Sequence, residues 1–216
     1  MLIDVFPLFG LRLTTPRLVL RLPSQDELGD LAELAARGVH DPAFMPFSVP
    51  WTDHPPEQVA LNVVQHHWAK LAEWSPQGWT IGFGVFLDGV IVGQQSVHGR
   101  NFAVTREVST GSWIGQARQG RGIGAEMREA VLHFAFAGIG ARHARSFAAE
   151  GNEASLRISR KLGYEADGVQ RSALRGELRV EQRFRLTRES WEAHRSVPVE
   201  IEGLAPCLPM LGVGAA

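Results

Sequence analysis

The sequence lacks the features of a secreted or membrane-spanning protein. Its 216 residues include one cysteine, Cys207, so no internal disulfide can form, which is typical of a reducing cytoplasm. No apolar run reaches the roughly 18 residues that a membrane span needs. The first ten residues carry Asp4 and Pro7 and no basic leader, which argues against a signal peptide. These absences predict a cytoplasmic protein with no membrane partner.

The sequence also lacks an excess of positive or negative charge. Lys and Arg number 22 against 23 Asp and Glu, and the formal net charge is −1. A chain with this balance has no general field that would attract a polyanion. We therefore expect no nucleic-acid partner, although a local basic patch is compatible with these numbers.

The patterns that are present predict one α+β domain over residues 1–196, with a mixed, mostly antiparallel sheet flanked by helices. Ser24 and Glu27 form a capping-box pattern at a helix start, and Asp88-Gly89 is typical of a tight hairpin turn. A loop over 41–56, rich in proline and bulky apolar residues, is expected to wall a pocket. Strands are predicted at 17–22, 79–87, 90–97, 103–114, 143–149, 164–169 and 178–186, and helices at 24–37, 57–74, 122–137 and 153–162.

A glycine cluster precedes the third long helix, in the stretch RQGRGIGAEM from Arg118 to Met127. Glycine in the first turn of a helix costs about 1 kcal/mol relative to alanine, so a close approach to the backbone must require it. Backbone N–H groups at a helix start attract phosphate. A nucleotide P-loop is excluded because the G-x-x-x-x-G-K-[ST] string is absent. Gly120, Gly122 and Ala125 do fit a dinucleotide fingerprint, which leaves an oxidoreductase as one alternative.

Four segments together resemble the GNAT superfamily of N-acetyltransferases. Gln119-x-x-Gly122-x-Gly124 resembles its pyrophosphate signature, and NEASLRISRKLGYEADG (152–168) is similar to its next conserved segment. STGSWIG (109–115) matches the pattern of its central strand. RGELRVEQRFRLTRESW (175–191) resembles the closing strands of the branch that acetylates ribosomal-protein N-termini. The resemblance covers most of 13–195 and implies the GNAT fold.

The resemblance also implies a coenzyme A site. Backbone N–H groups of the glycine loop would hold the pyrophosphate, with Arg118 as a further cation near the phosphates. The backbone of Trp113 and Ile114 would contact the pantetheine and the thioester carbonyl. Asn152 and Ser155 would bind the pantetheine amide, although Asn152 could serve equally as a helix N-cap. The loop residues concerned are Gln119, Gly120, Arg121, Gly122, Ile123, Gly124 and Ala125.

Two side chains are predicted to take part in acyl transfer. Members of the family carry a tyrosine acid seven residues after the asparagine, and this sequence has Ser159 there. Its hydroxyl could hydrogen-bond the departing sulfur, or it could be a small residue in a helix groove. Glu107 is the predicted base, acting through water, and a solvated strand carboxylate is the alternative. No metal is expected, because His66 and His67 are adjacent rather than four residues apart.

The sequence therefore predicts a CoA-dependent N-acyltransferase in which a primary amine attacks the acyl-CoA directly in a ternary complex. The acyl group is acetyl or a larger one such as succinyl, and the acceptor is a protein N-terminus or a small amine. The competing hypotheses are a non-catalytic acyl-CoA-binding or regulatory domain, and a dinucleotide-binding oxidoreductase.

The last twenty residues, 197–216, form a separate C-terminal tail in this interpretation. No charged residue follows Glu202, whereas leucine, proline and glycine are frequent. A solvated disordered tail is normally polar. We expect an extended segment packed on the domain surface against a sheet edge, or across the two-fold partner of a homodimer. A frayed terminus is the alternative.

Overall fold

The computed structural model describes residues 1–214, and within them the strands form one nine-stranded sheet. The strands are β1 (Arg12–Thr14), β2 (Leu18–Arg21), β3 (Gly78–Leu87), β4 (Val90–Arg100), β5 (Glu107–Ile114), β6 (His143–Ala149), β7 (Glu165–Leu174), β8 (Glu177–Thr187) and β9 (Glu200–Glu202). The α-helices are α1 (Leu2–Val5), α2 (Gln25–Ala36), α3 (Pro56–Ala72), α4 (Phe102–Thr105), α5 (Ile123–His133), α6 (Glu153–Lys161) and α7 (Arg188–His194).

The sheet has the order β7-β8-β6-β5-β4-β3-β2-β1-β9, and among its neighbouring pairs only β5 and β6 run parallel within residues 1–214. This confirms the predicted mixed, mostly antiparallel sheet. A dinucleotide-binding domain depends on an alternating parallel sheet. The oxidoreductase alternative is therefore wrong, because the strands that precede the glycine loop are antiparallel.

The pairing of β5 with β6 is short. Cα partners are found only between Glu107–Ser109 and His143–Arg145, although both strands continue beyond that register. Further along, β6 remains paired with β8, and β5 remains paired with β4. The two parallel strands therefore diverge from Thr110 onward. The gap between them, which we call the β5/β6 cleft, opens toward the end of β5.

Helices cover both faces of the sheet. On one face, α5 buries the predicted stripe of Ile123, Met127 and Val131, and Phe134 continues it just after the helix. On the other face, α2 and α3 pack together over one end of the sheet in a separate apolar cluster. Within residues 1–214, no helix combines the length and the apolarity needed to cross a bilayer.

Local sequence signals predicted several element ends well. Ser24 Oγ accepts a hydrogen bond from Glu27 N, and a Glu27 carboxylate oxygen accepts one from Ser24 N at 2.8 Å, which confirms the capping box. Asp88 and Gly89 both have positive φ, 51° and 78°, as a two-residue hairpin turn requires.

The strand predicted at 164–169 continues to Leu174 as β7, and two other predicted elements differ from the structure more strongly. The strand predicted at 103–114 begins only at Glu107, because Asn101 and Arg106 adopt left-handed conformations that enclose the short helix α4 and bury Phe102. The helix predicted at 122–137 ends its α-helical part at His133 and closes with a π turn over Phe134–Gly138. Both changes depend on packing that periodicity does not report.

The C-terminal segment packs on the rest of the chain. Strand β9 pairs antiparallel with β1 at the sheet edge, as the extended-segment prediction expected. The following 3₁₀ helix, Ala205–Leu211, buries Cys207 and Leu211 completely. Backbone carbonyls of this helix accept hydrogen bonds from the indoles of Trp74 and Trp79. The boundary at 196/197 stays a prediction, and the last two tail residues lie outside the described residues.

Candidate active site

The glycine loop connects the end of β5 to the start of α5. Gly120 and Gly122 have φ values of 75° and 78°, a region that side-chain-bearing residues rarely adopt. Gly122 is the N-cap residue of α5 and offers no side chain to cap the first N–H groups of the helix. Those groups can therefore bind an external acceptor such as a phosphate. Arg118 and Arg121 flank the loop, and neither forms an ion pair within residues 1–214.

The side chain of Gln119 holds the loop in place. Its Nε2 donates to the carbonyl oxygens of Val39 and Ile114 at 2.8 and 3.0 Å. The neighbouring Gln116 N donates to Gly38 O at 3.0 Å, which ties the loop to the end of α2. We conclude that the Gln119 side chain positions the loop, whereas binding of a ligand by its backbone stays a prediction.

A polar cluster beneath the loop was not anticipated from the sequence. Glu126 in the first turn of α5 is buried, and its carboxylate accepts hydrogen bonds from Thr15 Oγ1 and Arg17 Nε, both at 2.6 Å. Arg17 Nη1 also donates to Arg121 O at 3.1 Å. Arg17 therefore neutralises a carboxylate that would repel an anion at the helix start, and it steadies the loop backbone. No local sequence signal pairs residues so far apart in the chain.

Gly124 permits close packing at the mouth of the β5/β6 cleft. A β-carbon at this position would lie 3.2 Å from Cδ1 of Ile158 on α6 and 3.6 Å from Cδ1 of Ile114 on β5. The end of β5 and the adjoining faces of α5 and α6 therefore meet there. Trp113 and Ile114 occupy the part of β5 that has diverged from β6, where the predicted pantetheine contact would be.

Asn152 begins α6 as its N-cap. Its Oδ1 accepts a hydrogen bond from Ser155 N at 3.2 Å, so the N-cap role considered for Asn152 is confirmed. The predicted contacts of Asn152 and Ser155 with pantetheine stay predictions.

Ser159 has a partner that the sequence did not reveal. The residue is completely buried, and its Oγ accepts a hydrogen bond from Arg128 Nη1 at 3.2 Å. Burial lowers the pKa of the Arg128 guanidinium and raises that of the neighbouring Tyr164 hydroxyl. Within residues 1–214, Arg128 forms no ion pair with a carboxylate. Ser159 thus solvates a buried cation, and proton donation by Ser159 stays a prediction.

Replacing this hydroxyl should weaken the fold. Ser159→Ala is expected to lower the free energy of unfolding by about 1–3 kcal/mol, because the buried guanidinium loses its hydrogen-bond acceptor. Denaturant unfolding measures the change. Ser155→Ala, one turn earlier on α6, is the control, because the Ser155 hydroxyl makes no hydrogen bond within residues 1–214. Equal stability of Ser159→Ala and Ser155→Ala would contradict the assigned role.

An open groove of about 660 Å³ lies over the closed end of the β5/β6 pair, on the sheet face that α3 borders. Glu107 forms an ion pair with Arg145 of β6 in its floor, and Lys70 pairs with Glu73 at 2.6 Å on its α3 side. The groove brings together polar side chains that the sequence scatters over five elements: Lys70, Thr80, His98, Glu107, Ser109 and Arg145. It can accept a small polar ligand.

The loop over 41–56 is fastened to the β7–β8 hairpin. Arg179 donates to the carbonyl oxygens of Met45 and Pro46 at 2.9 and 3.0 Å, and Arg175 forms a two-bond ion pair with Asp53. The loop also carries aromatic rings toward the end of β5. The centroids of Phe47 and Trp51 are 5.1 Å apart, and those of Trp51 and Trp113 are 5.8 Å apart. The loop therefore walls the α2–α3 side of the sheet near Trp113.

Comparisons with known proteins agree with this architecture. A sequence profile described as "Acetyltransferase (GNAT) domain" matches residues 17–165. A GCN5-related N-acetyltransferase from Brucella melitensis is 21% identical, with a TM-score of 0.65 over 85% of this chain and 81% of that one. A GNAT-family acetyltransferase from Bacillus anthracis is 17% identical, with a TM-score of 0.63 and coverage of 82% and 99%.

A third solved structure is that of RimL, a ribosomal L7/L12 alpha-N-protein acetyltransferase in complex with coenzyme A. It is 17% identical, with a TM-score of 0.63, and the match covers 80% of this chain and 95% of RimL. At these identities the structural likenesses establish a shared fold.

Proposed function

Because the chain belongs to the GNAT acetyltransferase family, we propose that it transfers an acetyl group from acetyl-CoA to a primary amine, which attacks the thioester directly in a ternary complex. The observation that carries this proposal is the layout along β5. The uncapped start of α5 lies beyond one end of β5, the groove lies at the other end, and the β5/β6 cleft lies between them.

The residues present suit coenzyme A. The positive-φ glycines and the free N–H groups of α5 offer a phosphate site, and Arg118 and Arg121 add positive charge. Backbone groups of β5 that face β6 are not used by strand pairing beyond Ser109. An extended chain with amide groups, such as pantetheine, can hydrogen-bond such an edge. Gly115 N bonds to Val92 O of β4, so strand alternation turns the N–H of Trp113 toward β4 and that of Ile114 toward the cleft. The Ile114 N–H is therefore the proposed contact to the thioester carbonyl.

We place the acceptor amine in the groove. Its volume of about 660 Å³ suits a small amine or the first residues of a protein N-terminus. Glu107 opens into this groove, so the geometry supports a role in receiving the amine. Its pairing with Arg145 means that the carboxylate must exchange partners before it takes a proton. The RimL structure suggests a ribosomal-protein N-terminus as the first acceptor to test.

Binding and turnover test this function separately. Calorimetric titration with CoA, acetyl-CoA, succinyl-CoA and NADH is expected to give binding of the CoA compounds and none of NADH. Acetyl-CoA with peptides that carry a free N-terminus should then release CoA thiol, whereas the same peptides with a blocked N-terminus should not. Tight acetyl-CoA binding without transfer to any amine would favour a non-catalytic acyl-CoA-binding domain. Faster turnover of succinyl-CoA than of acetyl-CoA would show that succinyl, and not acetyl, is the preferred acyl group.

A further inference from the structure

His98 lies on β4, beside the point where β5 and β6 begin to diverge. It projects from β4 into the groove, where strand register sets it between Thr80 of β3 and Ser109 of β5. Ser109 is the last residue of β5 that pairs with β6. A β-carbon at Gly111 would lie 3.8 Å from His98 Nε2, so the imidazole faces the first diverging residues of β5. The ring therefore stands where the groove meets the cleft.

Thr80 orients the imidazole. His98 Nδ1 and Thr80 Oγ1 are 3.0 Å apart. With the hydrogen on Nδ1, the ring donates to Thr80 and leaves Nε2 as a bare acceptor directed at Gly111. Only this tautomer keeps the Nδ1–H···Oγ1 bond unchanged when Nε2 takes up a proton. The pair is thus suited to proton transfer without rearrangement.

The surroundings of His98 keep the ring neutral. Burial lowers its pKa to about 4, with smaller contributions from the positive charges of His66 and Lys70 on α3. His67, which also faces this side of the sheet, has its own pKa lowered by burial. Of the other groove residues, Glu107 and Arg145 are paired with each other. Imidazole is therefore the group in the groove that offers an unpaired acceptor nitrogen at neutral pH.

We propose that His98 is a catalytic residue that accepts the proton of the attacking amine, with Thr80 as its positioning residue. This inference rests on the proposed function. The amine nitrogen bonds to the thioester carbon while its proton moves to His98 Nε2, and the C–S bond breaks with its electron pair on sulfur. The proton then passes from His98 to the thiolate or to water, which yields the amide, CoA and neutral His98.

Removing the imidazole and returning it from solution tests the proposal. His98→Ala is expected to lower kcat about 100-fold, the lower end of the range for general-base removal, with an unchanged Kd for acetyl-CoA. Added imidazole should restore much of the loss by occupying the open groove. The rescued rate should follow the neutral form of imidazole and so decline below its solution pKa. Thr80→Val should lower kcat less than His98→Ala does, with little change in KM.

Two controls separate the possible failures. His194→Ala removes an exposed imidazole from α7, which does not line the groove, and should change none of these rates. Glu107→Gln tests the other candidate base. Full activity of His98→Ala would overturn the assignment of His98 alone. The same conclusion would follow if imidazole did not restore the activity of His98→Ala and Glu107→Gln were equally inactive. A wild-type protein that binds acetyl-CoA but acetylates no amine would overturn the proposed function and this inference together.

Discussion

A chain that ends at Val197 is expected to unfold with a free energy at least about 5 kcal/mol below that of the full-length protein. The deletion removes β9 and the completely buried side chains of Cys207 and Leu211. Losing one buried leucine side chain alone costs about 2–5 kcal/mol. Such a loss is a large part of the 5–15 kcal/mol typical of a domain, and corresponds to a fall in Tm of about 10 °C or more.

The exact end of the deletion matters, because Glu129 on α5 is buried and depends on the first tail residues. Its carboxylate accepts hydrogen bonds from Ser196 N and Val197 N, both at 2.9 Å, and from Ser196 Oγ. A chain ending at Arg195 should therefore be less stable than one ending at Val197. Glu202→Ala, on the exposed face of β9, is the control and should stay within about 1 kcal/mol of the wild type.

The reactivity of Cys207 provides a direct measure of whether the tail is packed. Burial raises the pKa of the Cys207 thiol to about 11, and Cys207 is the single cysteine of the sequence. A thiol reagent should therefore react slowly with the folded protein, and the rate measures opening of the tail. Unchanged unfolding of the shortened chains, or immediate reaction of Cys207 in the native protein, would show that the tail is not packed as described.

Gly122→Val is expected to raise the Kd for CoA at least about 100-fold, equivalent to about 2.7 kcal/mol. Gly122 has a φ of 78° at the N-cap of α5, and a β-branched side chain there would distort the backbone that directs the helix N–H groups. The fold itself should survive, because a β-carbon at Gly122 meets only the end of the Arg17 side chain, at 3.4 Å. Calorimetric titration with CoA measures the effect.

The hairpin glycine supplies a control for backbone strain. Gly89 has the same φ of 78°, and a β-carbon there would meet no atom within 4 Å. Gly89→Val should thus lose a similar stability, about 1–2 kcal/mol, but bind CoA like the wild type. If Gly122→Val keeps wild-type affinity, or if Gly89→Val loses CoA binding to the same degree, the glycine loop is not the phosphate site.

Short-range chemistry made part of this molecule predictable. The Ser24–Glu27 capping box, the Asp88-Gly89 turn and the glycine loop each act within a few residues of the chain. The sheet class followed from alternation and from the resemblance of the motifs. Helix α4 was missed because Arg106 adopts a left-handed conformation that its residue type does not signal, and because Asn101, a common turn residue, stands alone in the sequence as a turn signal.

The features that the sequence did not predict depend on contacts between distant segments of the chain. Ser159 was assigned from its spacing to Asn152, but its partner Arg128 lies on another helix. His98 could not be distinguished from other histidines until the strand register placed it beside Thr80. These pairings depend on packing of distant elements, which periodicity and spacing do not encode.

The pairing of β1 with β9 has a consequence for how the chain folds during synthesis. The two strands come from nearly opposite ends of the sequence, so β1 is translated long before its outer partner exists. Until β9 has emerged, β1 presents an open edge that can template intermolecular pairing. Closing this contact brings together residues of high sequence separation, which slows folding. A chain in which β9 has not yet emerged should therefore be prone to aggregation, which should originate at the exposed edge of β1.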